Sequence, residues 1–146
     1  MASYPTRKLR RLRESERVRR LCGMPAPPLS KMIWPVFVVD GEKCRIPIES
    51  MPGQYRMSID MLLSELENPV KDGLGGVLIF GHVEESYKDA HASYAYREDA
   101  LVQRAVREIR HHFPALPVFT DVCLCGYTDH GHCGPLDENG RIDNDK

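Results

Sequence analysis

Three cysteines, Cys123, Cys125 and Cys133, fall within eleven residues near the end of the sequence. Residue types and spacing give them more chemistry than any other part of the chain. On an extended backbone, residues i and i+2 face the same way, about 6.6 Å apart. Sulfurs around one zinc at Zn–S of about 2.3 Å must lie under roughly 4 Å from one another, which two inward-leaning side chains can reach. Cys123 and Cys125 therefore supply a pair, and Gly126 and Gly131 permit the reversal that brings Cys133 back to the same point. Three protein ligands suit a catalytic zinc, whose fourth position is left to water or substrate. Two other readings stay open on the residues alone. One is a closed Cys3His site completed by His130 or His132; the other is a metal-free redox pair, although Cys-x-Cys fits disulfide geometry poorly. The same histidines could also be outer donors or proton carriers. Asp121 stands two residues before the first cysteine, at the predicted end of a buried strand. An unpaired carboxylate there is costly, so it is a candidate active-site acid, with strand-end capping or pairing to an arginine as the plainer alternative.

The elements that must hold this cluster alternate along the chain. Met32 to Val39 is a short apolar, β-branched run closed by Asp40-Gly41 and predicts a buried strand, with Pro35 near its start or at an irregularity. Residues 45 to 56, with Pro47, Pro52 and Gly53, read as loop or short extended pieces. Ser58 offers an N-cap to a helix carrying Met61, Leu62 and Leu66, which Asn68-Pro69 is expected to stop. Val77 to Phe80 has no polar alternation, as in sheets covered on both faces. Residues 82 to 96 suit a long loop, a helix is predicted from about Asp99 to His112, and a third strand over Val118 to Val122 runs straight into the cysteines. Strand, helix, strand, helix, strand implies parallel pairing through crossovers. An open doubly wound sheet and a closed barrel both satisfy that order. No glycine-rich phosphate loop follows the first two strands, which disfavours a dinucleotide-binding sheet.

Composition frames these readings. The 146 residues are 42% hydrophobic and 28% charged, as in a soluble globular domain. No apolar run approaches the roughly 18 residues of a membrane span. The charged N-terminus lacks the apolar stretch of a secretory signal, so a cytoplasmic location with reduced thiols is expected. Five cysteines then read as metal or redox chemistry before disulfides, with Cys22 and Cys44 as plain small hydrophobes. Residues 1 to 20 carry eight basic side chains, including Arg7, Lys8, Arg10 and Arg11, against Glu14 and Glu16. This arm has no interleaved aromatics and no amphipathic pattern, so it reads as solvated or docked on an acidic protein surface rather than on nucleic acid or membrane.

The run Thr120-Asp121-Val122-Cys123-Leu124-Cys125, followed by Tyr127-Thr128-Asp129-His130-Gly131-His132-Cys133-Gly134, resembles the zinc-site signature of the porphobilinogen synthases, or 5-aminolevulinate dehydratases. Pro47-Ile48 with Ser50-Met51-Pro52-Gly53, the segment around Trp34 to Val38, Leu101-Val102-Gln103-Arg104-Ala105 and the arginine-rich arm resemble the same family in the same order, from about Arg7 to Lys146. The resemblance implies a (β/α)8 barrel, with residues 1–30 as an arm wrapping a neighbouring subunit of a homo-oligomer, in dimers building an octamer or similar. Residues 31–146 would be the start of the barrel, roughly its first three βα units. It implies condensation of two 5-aminolevulinate molecules to porphobilinogen, Zn2+ on Cys123, Cys125 and Cys133, and Asp121 facing the active site. It also implies two Schiff-base lysines, which none of Lys8, Lys31, Lys43, Lys71, Lys88 or Lys146 matches. A barrel takes about 250 residues. The chain as given is therefore expected to be inactive alone, with a non-catalytic zinc-binding module or a thiol redox sensor as alternatives.

Overall fold

The structure is a computed structural model and describes residue 6 and residues 10–143. Arg7, Lys8 and Lys146 of the sequence readings lie outside the described residues. Five strands form one sheet in the order β2-β3-β1-β4-β5. They are β1 (Ile33–Val38), β2 (Arg45–Pro47), β3 (Tyr55–Met57), β4 (Gly76–Gly81) and β5 (Val118–Thr120). β3, β1, β4 and β5 run parallel, and only β2 is antiparallel to its neighbour β3. Three helices accompany them, α1 (Glu16–Cys22), α2 (Ile59–Lys71) and α3 (Leu101–His112).

Alternation along the strands divides the sheet into two faces. Val36, Val38, Val77 and Ile79 are buried against Leu62 and Leu66 of α2 and Leu101, Ala105 and Ile109 of α3. Register pairs Pro35 with Leu78 and Leu78 with Phe119 on the opposite face, where the rings of Phe37 and Phe80 stack at 5.4 Å. That face is apolar yet uncovered: Ile33 is 48% and Phe119 45% exposed. One face under helices and one lined by bulky apolar side chains is the construction of a barrel wall.

Several sequence expectations change in detail. The segment read as loop or short extended pieces contains the paired strands β2 and β3, braced by the Arg45 guanidinium 3.8 Å over the Tyr55 ring. Pro35 sits inside β1 without any irregularity. The Val38 carbonyl accepts from His82 on the β4 side and the Val39 N–H donates to Met57 on the β3 side. Two-residue alternation then points the Pro35 nitrogen away from β4, level with the chain before β3 begins, so no ladder bond is lost.

α2 runs past Asn68-Pro69 to Lys71. It ends in a Schellman turn, with the Leu74 N–H on the Pro69 carbonyl at 2.9 Å and the Gly73 N–H on Val70 at 3.1 Å. Gly73 takes φ 88°, the left-handed conformation that such an ending needs. At its start Ser58 has the extended backbone of an N-cap, but its hydroxyl accepts the Cys44 N–H at 2.9 Å instead of capping the helix. α3 begins at Leu101 rather than Asp99, because Asp99 is held in a two-pronged pair by Arg97 at 3.0 and 2.8 Å. The Leu101 N–H is capped instead by the Tyr94 hydroxyl, at 3.2 Å.

Candidate metal centre

All parallel strands deliver their C-terminal ends to one side of the sheet, and the cysteine loop leaves from the end of β5. The strand stops at Thr120, two residues short of the expected Val122. Beyond it the Asp121 Oδ1 accepts the Cys123 N–H at 3.1 Å, a local turn that takes the chain out of the ladder. Asp121 therefore lies just past the strand and is exposed, not at a buried strand end as the sequence suggested. It lines an open cleft of about 520 Å³ together with Cys123, Tyr127, Gln103 and Arg107.

The loop brings Cys123, Cys125 and Cys133 together, with all three sulfurs within 4.8 Å of one another. Sγ of Cys133 is 2.8 Å from that of Cys125 and 3.3 Å from that of Cys123. All three are free thiols. Among the described residues this is the only group of three His, Cys, Asp or Glu side chains so gathered. Neither histidine completes a closed four-ligand set. The His130 ring lies 3.4 Å from the Ala90 carbonyl and accepts the His132 N–H at 3.2 Å, and the two imidazoles stack at 5.9 Å. Sulfurs around a tetrahedral zinc stand about 3.8 Å apart, so a spread of about 1 Å or less would make room for the ion. Soft thiolate donors in this number also suit such a cation.

The Cys125 and Cys133 thiols titrate as a pair. The Cys133 thiol is brought down to about 7 because Cys125, then Cys123, and the backbone N–H groups of Leu124 and Cys125 hydrogen-bond to its thiolate. Cys125 is pushed up to about 12, chiefly by its bond to Cys133 and then to Cys123. A cation binding at neutral pH must displace the protons still held by the set. Below about pH 7 the Cys133 thiolate is also protonated, and the apparent affinity should fall more steeply there, by up to about tenfold per pH unit for each proton displaced. Competition titrations from roughly pH 6 to 8 read this slope. An affinity flat across that range would remove the thiols as ligands.

Sequence reasoning did not find the residues that shape the loop. Thr128 is buried, and its hydroxyl donates to the His132 carbonyl at 2.9 Å and lies 3.4 Å from that of Cys125, tying the two limbs that carry the sulfurs. Tyr127 packs its hydroxyl over Gly81, where a Cβ would stand 2.8 Å away, and burial followed by the nearby Asp121 charge raises its pKa. The β4–α3 connection crosses beneath, bridging Asp89 to Thr128. Asp89 is held below the usual carboxylate range by the N–H groups of Ser93 and His91. Ala92 in that connection takes φ 52° and is fully buried. Ala92→Gly should raise the unfolding free energy by about 0.5–1 kcal/mol, since relief of the left-handed strain outweighs the added freedom of the unfolded chain. Urea denaturation reads it, and a loss of stability would show that the Ala92 methyl contributes more by packing than it costs in backbone strain.

Parallel β/α units that gather three thiols able to hold a cation at the strand C-termini define a class, the β/α-barrel proteins with their site on the C-terminal face. Comparison with known proteins narrows it. The family model for delta-aminolevulinic acid dehydratase matches residues 6–146, and the chain belongs to that family. The Helicobacter pylori (strain J99) delta-aminolevulinic acid dehydratase is 44% identical over 141 residues, which are 96% of this chain and 43% of that one. The protein of that name from Ruminiclostridium josui is 41% identical over 137 residues, 94% of this chain and 65% of its own length. The crystal structure of the Toxoplasma gondii ME49 delta-aminolevulinic acid dehydratase (porphobilinogen synthase), in complex with its reaction product porphobilinogen, matches with a TM-score of 0.83 at 35% identity, covering 99% of this chain and 40% of that one. The fold is thus a portion of a TIM barrel. The chain spans 40% to 65% of the lengths of these three proteins.

Proposed function

We propose that this chain carries the N-terminal part of a porphobilinogen synthase, a lyase that condenses two 5-aminolevulinate molecules into porphobilinogen with loss of water on the route to tetrapyrroles. The observation that carries the reading is the meeting of three free sulfurs at the C-terminal end of β5 in a member of this family. Cys123, Cys125 and Cys133 would hold Zn2+, which when bound acts as a Lewis acid and lowers the pKa of its water. Asp121 serves as the active-site acid. Its Oδ1 is fixed by the Cys123 N–H, which orients the carboxyl group toward the cleft and leaves Oδ2 to hold or take up a proton at a bound substrate. Exposed Arg107 and half-buried Gln103, whose side-chain nitrogen donates to the Ala95 carbonyl, line the same cleft and offer polar groups to the substrate's own polar ends. The test is porphobilinogen formation by the protein expressed from its native gene. Activity that survives in a Cys133→Ser variant would remove the cluster from the reaction.

Residues 1–30 act as an arm, residues 31–146 as the start of the barrel, and the assembly is a cytoplasmic homo-oligomer. Supporting this, α1 buries none of its residues, and Leu21 and Met24 are 87% and 96% exposed, apolar side chains that a neighbouring subunit would cover. Among the described residues no helix is long and apolar enough to cross a membrane. Deleting residues 1–20 should lower the sedimentation coefficient of the native protein to that of a smaller oligomer. An assembly of unchanged subunit number would leave the arm without this role.

A further inference from the structure

We propose that Asp89 is a positioning residue for the metal centre, folding the β4–α3 connection into the turn whose backbone grips the cysteine loop on both sides of Thr128. The inference rests on the metal-site reading and adds a residue, distant in sequence from the cysteines, that sets how well the site is formed.

The Asp89 Oδ1 accepts two backbone N–H groups, from His91 at 2.8 Å and Ser93 at 3.1 Å, and the Asp89 carbonyl accepts that of Ala92 at 3.3 Å. One carboxylate thus closes the turn over residues 89–93. The backbone of the same residue then reaches the cysteine loop twice. Its N–H donates to the Tyr127 carbonyl, and its carbonyl accepts the Asp129 N–H, both at 3.3 Å. Next to it the Ala90 carbonyl meets the His130 ring at 3.4 Å.

Between these anchors stands Thr128, whose hydroxyl joins the carbonyls of Cys125 and His132. Other bonds in that stretch, from the N–H groups of Tyr127 and Thr128 to the Leu124 carbonyl, are internal to the loop and fix its shape without fixing its place. Asp89 is therefore the point at which the backbone of a loop of largely exposed residues is tied to the β4–α3 connection, beside the packing of the Tyr127 side chain over Gly81. Without it the three sulfurs have more arrangements to lose on binding a cation, and the affinity falls although no ligand has changed.

The experiment titrates the 146-residue chain with Co2+ and follows thiolate-to-cobalt absorbance in wild type, Asp89→Ala and Asp89→Asn. Asp89→Ala should raise the Kd about 10- to 100-fold, and Asp89→Asn, which keeps an acceptor oxygen, should restore most of the affinity. A second readout in the metal-free chain is amide exchange at Asp129, expected to quicken about tenfold or more in Asp89→Ala. If the alanine variant does not fold, Asp89→Ser takes its place, with a shorter acceptor and an intermediate Kd expected. A folded Asp89→Ala with lowered thermal stability but a Kd within twofold of wild type would overturn the proposal, since it would make the residue merely structural. Should the wild-type chain bind no Co2+, the metal-site reading fails, and exchange at Asp129 alone then decides: unchanged exchange overturns the role of Asp89, and faster exchange upholds its grip on the loop.

Discussion

Purified without chelator, the chain is expected to hold about one zinc, and Cys123→Ser, Cys125→Ser or Cys133→Ser should each abolish stoichiometric binding. The effect is large because, among the described residues, the three sulfurs are the whole of the gathered donor set, with no histidine or carboxylate in the same group to replace a lost thiolate. A serine hydroxyl is a harder and far less acidic ligand. Its substitution should cost well beyond the roughly 100-fold that changes around an intact ligand set bring about. Elemental analysis of the four proteins decides the matter. Stoichiometric zinc in any single variant would mean that the cation sits elsewhere, and retention in a triple variant would detach it from the loop altogether.

No porphobilinogen should form when the zinc-loaded 146-residue chain is incubated with 5-aminolevulinate, and borohydride should trap no substrate adduct. Imine formation needs an unprotonated lysine aimed at the substrate ketone. Lys31 and Lys71 lie at the N-terminal ends of β1 and β4, across the sheet from the cysteines. Lys43 lies in the turn after β1, where its backbone N–H bonds to Asp60. Lys88 is on the correct side, but its ammonium is engaged 2.6 Å from the Glu85 carboxylate rather than aimed at the cleft beside the cysteines. Metal binding and turnover should therefore separate in this chain. Turnover, or a reduced adduct on Lys88, would show that the Glu85 pair opens and that a Schiff base forms within these residues.

The gathering of the three sulfurs was legible in the sequence because its geometry is local. Cys-x-Cys and a glycine-containing reversal bring the sulfurs near one another within a short stretch of chain, which the β4–α3 connection then holds in place. The uninterrupted apolar run of β4 was equally plain. Less local features escaped. β2 and β3 are three residues each, among prolines and a glycine, and only their pairing with one another and with β1 makes them strands. Pro69 reads as a helix stop, yet it lies in the last turn of α2, where the Schellman bonds from Gly73 and Leu74 close the end of the helix. The exposure of Asp121 follows from a turn made by its own side chain, which strand periodicity does not reveal. Asp89 reaches the cysteine loop through its backbone, and the hydroxyls of Tyr94 and Thr128 bond backbone groups three to seven positions away, contacts that no motif announces. The one available hint was an Asp followed by small residues in a loop, a common turn signature.

Because Cys123 and Cys133 are ten positions apart, the chain segment that the cation must close is short. Closing a flexible loop costs entropy that grows as the logarithm of its length, so bringing together ligands about 100 residues apart would cost roughly 2 kcal/mol more than gathering these. The site thus draws its ligands from one short stretch, and Asp89, which holds that stretch in place, precedes it in the chain. On the function proposed above, a nascent chain would begin to compete for zinc once the cysteine loop has emerged. On that proposal, metal loading does not have to wait for a closed barrel.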